Sequence, residues 1–387
     1  MSSGASTGSC GRRYLLISPC RDEAKYIRRT LDAVARQTVQ PASWVIVDDG
    51  STDATPEILD EYTRKLPFLR VVRRKDRGKR QVGPGVVEAF YDGLDTVDLH
   101  DFDYLCKLDV DLDLPPEYFE RLMLRMEGEP RLGTTSGKPW FHHPKTGTLV
   151  PEVTGDEMSV GMTKFYRVAC FRAIGGFVPQ VMWDGIDCHR ARMLGWIAES
   201  VDDATLRFVH LRPMGSSQGR GLWTGRVRMG FGQYFMGTAP LFFVASAGFR
   251  LPRHPVLIGA VAMLWGYFSS AVKHVPRYND PQFRKFLRRY QYLSLLVGKA
   301  RATSVVTAER APVWKAVHGP ATGSAAVRDV ATSRLVEPWA TLEHLPAAAP
   351  AGVGVGLQEP VADAHVGEAE LRHEAGRRSA SPSVQAI

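Results

Sequence analysis

At 387 residues the chain has room for one large domain or two small ones, and its 44% hydrophobic and 23% charged residues supply a sizeable core and argue against wholesale disorder. A net charge of +8 suits an anionic partner without choosing among nucleotide, nucleic acid and acidic membrane. The five cysteines (Cys10, Cys20, Cys106, Cys170 and Cys188) are scattered and form no CxxC pair, which argues against a zinc knuckle or a disulfide framework and for a reduced setting.

Residues 1–12 are Ser/Gly-rich, read as disordered, and lack the apolar stretch of a signal peptide. From about 13 to 235, short apolar runs alternate with amphipathic stretches, which predicts a mostly parallel sheet flanked by helices. Strands are expected at 14–18, 44–47, 68–72 and 104–108, and helices at 23–37, 53–66 and 86–94. From 236 to 300 the chain turns apolar and then basic: an uncharged run at 256–272 precedes Lys273, Arg277, Arg284, Lys285, Arg288 and Arg289. Its 17 residues fall short of the roughly 20 that span a bilayer. The expectation is a helical segment that lies on an anionic membrane face, its cations on head groups; a buried core helix is the competing reading. Residues 301–387 are rich in Ala, Gly, Pro and Ser and read as a disordered tail without a catalytic role.

The strongest chemical signal is Lys107-Leu-Asp-Val-Asp-Leu-Asp-Leu-Pro-Pro-Glu117. A strand running into Asp109 and Asp111 puts both carboxylates on one side, at the sheet edge where open α/β folds bind ligands. Such a pair can hold Mg²⁺ or Mn²⁺ against a diphosphate. Asp109, Asp111, Asp113 and Glu120 also fall on EF-hand positions, but Leu114 stands where that loop needs glycine and Pro115-Pro116 stiffen the turn. A second signal is Val47-Asp-Asp-Gly-Ser51, where acids at a strand end could accept from a base or ribose. A third is Ser18-Pro-Cys-Arg-Asp-Glu23, and a fourth the basic turn Asp76-Arg-Gly-Lys-Arg80, whose Lys79 could meet phosphate.

In this order, followed by Gly175-Gly-Phe177 and Trp183-Asp184, the motifs resemble family 2 glycosyltransferases over about residues 13–230. The acidic stretch looks most like that of the polyprenol-phosphate mannosyltransferase branch. The resemblance implies a GT-A fold, a nucleotide-sugar donor and inversion at the anomeric carbon. By that resemblance Pro19, Arg21, Glu23, Asp49, Lys79 and Asp109 would serve the nucleotide, and Asp109, Asp111, Asp113 and His210 the metal. Asp184 would be the base, with Asp187 as fallback; Trp183 departs from the family, where an acid usually precedes the base. UDP is expected ahead of GDP, and a lipid-linked or polysaccharide acceptor at the cytoplasmic face of the membrane. No Gln-x-x-Arg-Trp motif is present, which argues for adding one sugar at a time. The rival readings are a sugar-nucleotide nucleotidyltransferase, disfavoured because residues 18–23 contain no glycine, and a catalytically inactive membrane scaffold. Nucleic acid is not an expected partner, since the basic turn lacks interleaved aromatics.

Overall fold

The computed structural model describes residues 12–78, 83–143, 146–212, 222–250 and 258–319. The first four strands are β1 (Tyr14–Cys20), β2 (Ser43–Asp48), β3 (Leu69–Arg73) and β4 (Tyr104–Leu108), within two residues of the expected starts and ends. Helices α1 (Ile27–Ala35), α2 (Thr55–Thr63) and α3 (Pro84–Leu94) connect them. After β4 come β5 (Leu112–Asp113), α4 (Tyr118–Gly128), β6 (Leu132–Thr135), β7 (Pro139–His142), β8 (Leu149–Pro151), β9 (Thr163–Arg167), α5 (Val168–Ala173), α6 (Trp183–Met193), β10 (Ile197–Ala198) and β11 (Phe208–His210).

Seven strands form one sheet in the order β10-β6-β9-β4-β1-β2-β3, parallel except for β9, which runs antiparallel to both neighbours. Alternation along each strand splits the core into two layers. Tyr14, Leu16, Trp44, Ile46 and Cys106 pack under α1, α2 and α4, while Leu15, Ile17, Val45, Val47 and Leu105 pack under α3, α5 and α6. Burial on both faces is why these strands read as continuous apolar runs. A small second sheet, β5-β11-β7-β8, stands at the end where β4 stops.

Five further helices follow: α7 (Leu222–Met236), α8 (Pro240–Arg250), α9 (Ile258–Val272), α10 (Pro281–Val297) and α11 (Lys299–His318). None of the described helices is long and apolar enough to cross a membrane. Two expected boundaries need correction. The helical region begins at α7 rather than at 236, because α7 packs along α9. The tail does not begin at 301: α11 is a 20-residue helix that buries Ala302 and Val306 and sets Trp314 5.7 Å from the Trp196 ring. Its small side chains and Pro312 gave no periodic apolar stripe, so only docking reveals it. Residues beyond 319 lie outside those described.

Candidate active site

The loops after β1, β2 and β4 meet at the carboxyl edge of the large sheet, as that topology requires. After β1, Asp22 takes a left-handed conformation (φ 52°) and its carboxylate accepts from Thr52 N at 2.8 Å. Glu23 N donates to Thr55 Oγ1 and Ala24 N to Asp53, so the loops after β1 and β2 are tied together. After β2, Gly50 has φ +72°, and a side chain there would meet the Asp76 backbone at 2.4 Å. That turn holds Asp49 against the basic loop after β3.

Asp49 is buried, its carboxylate held by Arg74 (3.0 Å) and Arg77 (2.5 Å). Arg21, also buried, donates to the Asp49 carbonyl and to Asp76 Oδ1, each at 2.6 Å. Pro19 is the penultimate residue of β1, beside Val47 of β2. Arg21, Asp49 and the loop after β3 therefore form one charged cluster; Arg77 stood in the basic turn singled out from sequence, whereas Arg74 was not foreseen. Lys79 lies outside the described residues.

The expected metal residues assemble in part. The Asp111 carboxylate is buried; its Oδ2 lies 2.7 Å from Arg212 Nε and 3.5 Å from His210 Nε2. The other ring nitrogen of His210 is 3.1 Å from Glu152 Oε1, and Arg212 also reaches Glu23 Oε1 at 2.5 Å. Asp109 accepts from Lys107 Nζ, and its own amide donates to the Met162 carbonyl at 2.8 Å. Asp113 must be removed from the set. It pairs with Val209 across the β5–β11 register whereas His210 pairs with Leu112, so it faces the other way and binds Arg29 (2.8 Å) and Arg36. Glu152 and Arg212 were missed because both sit on irregular backbone whose partners are remote in sequence.

Burial pushes the Asp109 carboxyl upward against the pull of Lys107, with Asp111 adding repulsion. Burial would raise Asp111 as well, but His210 and Arg212 outweigh it and hold that carboxyl low. For His210, burial works downward and loses to the acids Asp111 and Glu152, which push the imidazole up to about 9.

Among the described residues no three His, Cys, Asp or Glu side chains are close enough to form a ready-made metal cage. Asp111 Oδ1 is nonetheless buried and has no hydrogen-bond partner among those residues. An orphaned carboxylate oxygen normally carries a penalty of about 1–3 kcal/mol. The carboxylates of Asp109 and Asp111 are the hard oxygen donors that Mg²⁺ or Mn²⁺ takes, with the His210 imidazole 3.5 Å from Asp111 Oδ2, but the described residues are not drawn together as a cage.

Asp184 stands in the first turn of α6, preceded by Met182 in a left-handed conformation (φ 70°). Its half-buried carboxylate lies over Gly161, where an added Cβ would be 3.0 Å from Oδ2. The Gly161 carbonyl in turn accepts from Lys107 Nζ at 3.1 Å, the same ammonium that holds Asp109. Burial raises the Asp184 carboxyl, with Lys164 opposing and Asp187 adding to the rise. The fallback candidate has a different environment. Asp187 is fully buried, 2.6 Å from Lys164 and bonded to the Tyr166 hydroxyl, out of reach of any solvent-borne acceptor. Trp183 lies between Lys107 (5.5 Å) and Lys164 (5.7 Å), so its ring faces cations where the family carries an acid.

Fold and site together define an α/β domain with an acid-and-arginine cluster at the carboxyl edge of its sheet. Residues 16–139 match the family model "Glycosyl transferase family 2". Among curated proteins the chain is similar to "Putative glycosyltransferase EpsH" of Bacillus subtilis (30% identity over 104 residues, 27% of each chain). It is also similar to "Poly-beta-1,6-N-acetyl-D-glucosamine synthase" of Staphylococcus aureus (26% over 121 residues, 31% of this chain and 27% of that one). These matches span about a quarter of the relatives' length. Among solved structures, the mannosyltransferase PcManGT from Pyrobaculum calidifontis in complex with GDP-Man and Mn²⁺ aligns with a TM-score of 0.43 at 18% identity, over 78% of this chain and 87% of that one.

Proposed function

We propose that the protein moves a sugar from a nucleoside-diphosphate sugar to an acceptor hydroxyl in a single, inverting displacement on a GT-A scaffold. The observation that carries this is the frame Asp109–Lys107–Gly161–Asp184, which ties the acidic motif at the β4 end to a half-buried carboxylate at the start of α6. Asp184 takes the acceptor proton; its raised basicity brings it toward working pH, as a general base requires. Arg74 and Arg77 orient Asp49 toward base and ribose, and Arg21 fixes the turn that carries it. Arg212 and Lys107 supply fixed positive charge near the leaving diphosphate. Asp109, Asp111 and His210 would hold Mg²⁺ or Mn²⁺, which supplies charge neutralisation of the diphosphate. The name of the Staphylococcus aureus relative, a poly-N-acetyl-D-glucosamine synthase, supports polysaccharide synthesis as the setting. The donor we propose is a UDP-sugar ahead of a GDP-sugar, with a polysaccharide or lipid-linked acceptor, at the cytoplasmic face of the membrane.

The test is a nucleotide-release screen across UDP- and GDP-sugars, with and without EDTA. Release from one donor, abolished by EDTA and restored by Mn²⁺, is expected. Full turnover in EDTA, or in Asp111→Ala, would overturn the metal assignment; no release from any donor would overturn the activity.

A further inference from the structure

The surface made by α7, α8 and α9 is built inside out. Helix α9 buries its small residues, Gly259, Ala260, Ala262, Gly266 and Ser270, together with Met263 and Tyr267. Its large apolar residues point outward: Ile258, Val261, Trp265, Phe268 and Val272 are 42–78% exposed and recur every three or four positions, which is one continuous stripe. The buried side explains the arrangement. A Cβ on Gly266 would lie 2.0 Å from the Val227 carbonyl, and one on Gly230 would lie 2.0 Å from the Met263 carbonyl. Backbones that approach so closely admit only small side chains, so the bulk is displaced to the far side. Leu241 and Val244 of α8 add to the exposed apolar area, at 62% and 45%. Small residues at the helix contact with bulky ones outside is the pattern of helices that face lipid rather than water.

The charge pattern identifies the lipid. Between Asp203 and Asp280 the chain has no acidic residue, while Arg226, Arg228, Lys273 and Arg277 fall on or beside α7 and α9. An acid-free, cation-bearing apolar face complements an anionic bilayer surface. At 15 residues, or roughly 22 Å, α9 is too short to cross a hydrocarbon core of about 30 Å and is suited to lie in the interface. Three of the cations expected from sequence to meet head groups are used elsewhere. Arg284 and Arg288 donate to the carbonyls of Tyr278 and Gly237, and Arg289 pairs with Glu309.

We infer that α7, α8 and α9 form an in-plane docking platform for an anionic membrane surface, with the Ile258–Val272 stripe inserted among the acyl chains. The platform reaches the candidate site directly. Gly232 of α7 packs on Val181 and Met182, the residues leading into the turn that carries Asp184, and Met236 packs on Gly185. A lipid-linked acceptor hydroxyl would thus be delivered beside the base. Docking itself does not depend on the proposed chemistry and is tested without substrate.

The experiment is co-flotation of the full chain with vesicles of phosphatidylcholine alone and of phosphatidylcholine with 30% phosphatidylglycerol, at 50 and 500 mM salt. Binding to the anionic vesicles, weakened by salt and reduced at least ten-fold in Trp265→Asp and in Val261→Asp, is expected. Both positions are exposed, and an unchanged thermal melt will confirm that the variants fold. Absence of flotation with any vesicle, or equal flotation of both variants, would overturn the inference. So would a dimer in sedimentation equilibrium that Trp265→Asp dissociates, since the stripe would then be a contact between two copies of the chain.

Discussion

Gly161 offers a sharp test of the proposed base, because it touches Asp184 without taking part in chemistry. Its backbone is not in the left-handed region, so alanine meets no conformational penalty there. The added methyl would lie 3.0 Å from Asp184 Oδ2, 3.5 Å from its Cβ and 3.6 Å from its Cγ. Only the first distance is too close, so the carboxylate has to retreat by a few tenths of an ångström. A misplacement of about 1 Å can lower turnover about 10²-fold, and a shift of this size scales to about five- to ten-fold. The Lys107 bond uses the Gly161 carbonyl, which the substitution leaves in place, so donor affinity should hold. Steady-state kinetics of Gly161→Ala should show kcat reduced by that factor, donor KM within about two-fold, and a melting temperature close to that of the parent. Unchanged kcat would show that Asp184 does not work where it stands. A loss confined to KM would place Gly161 at the donor instead.

The two acids of α6 should separate cleanly. Asp184→Asn should lower turnover about 10²–10⁴-fold with donor affinity nearly unchanged, whereas Asp187→Asn leaves Lys164 buried without its counter-charge and should cost about 3–5 kcal/mol of stability, read by denaturant unfolding. Because burial raises the Asp184 carboxyl and the base works ionised, activity should climb with pH along a limb displaced above the ordinary carboxylate range. A pH–rate profile showing that limb in the ordinary range would contradict the environment described for Asp184. Ending the chain before Lys299 should remove the packing of Ala302, Val306 and Trp314 and destabilise the protein by about 3 kcal/mol, whereas ending it at 319 should leave the melting temperature unchanged; equal melting temperatures would show that α11 contributes nothing to the core.

By itself the sequence determined β1 to β4 and the helices between them. Of these, β1, β2 and β4, covered on both faces, carry their burial as unbroken apolar runs and end in or run into the acids that the sheet edge then gathers. It also singled out Asp109, Asp111 and Asp184 as candidates, since those signals are local. Tertiary structure alone decided how these groups are partnered. Asp113 was carried away from its neighbours by the β5–β11 register, Glu152 and Arg212 were delivered from distant loops, and Asp187 was sealed behind Lys164. The stripe on α9 has the same origin. An apolar run shows only that a helix is hydrophobic, and the close approach of Gly230 and Gly266 decides that its small residues face inward and its large ones outward.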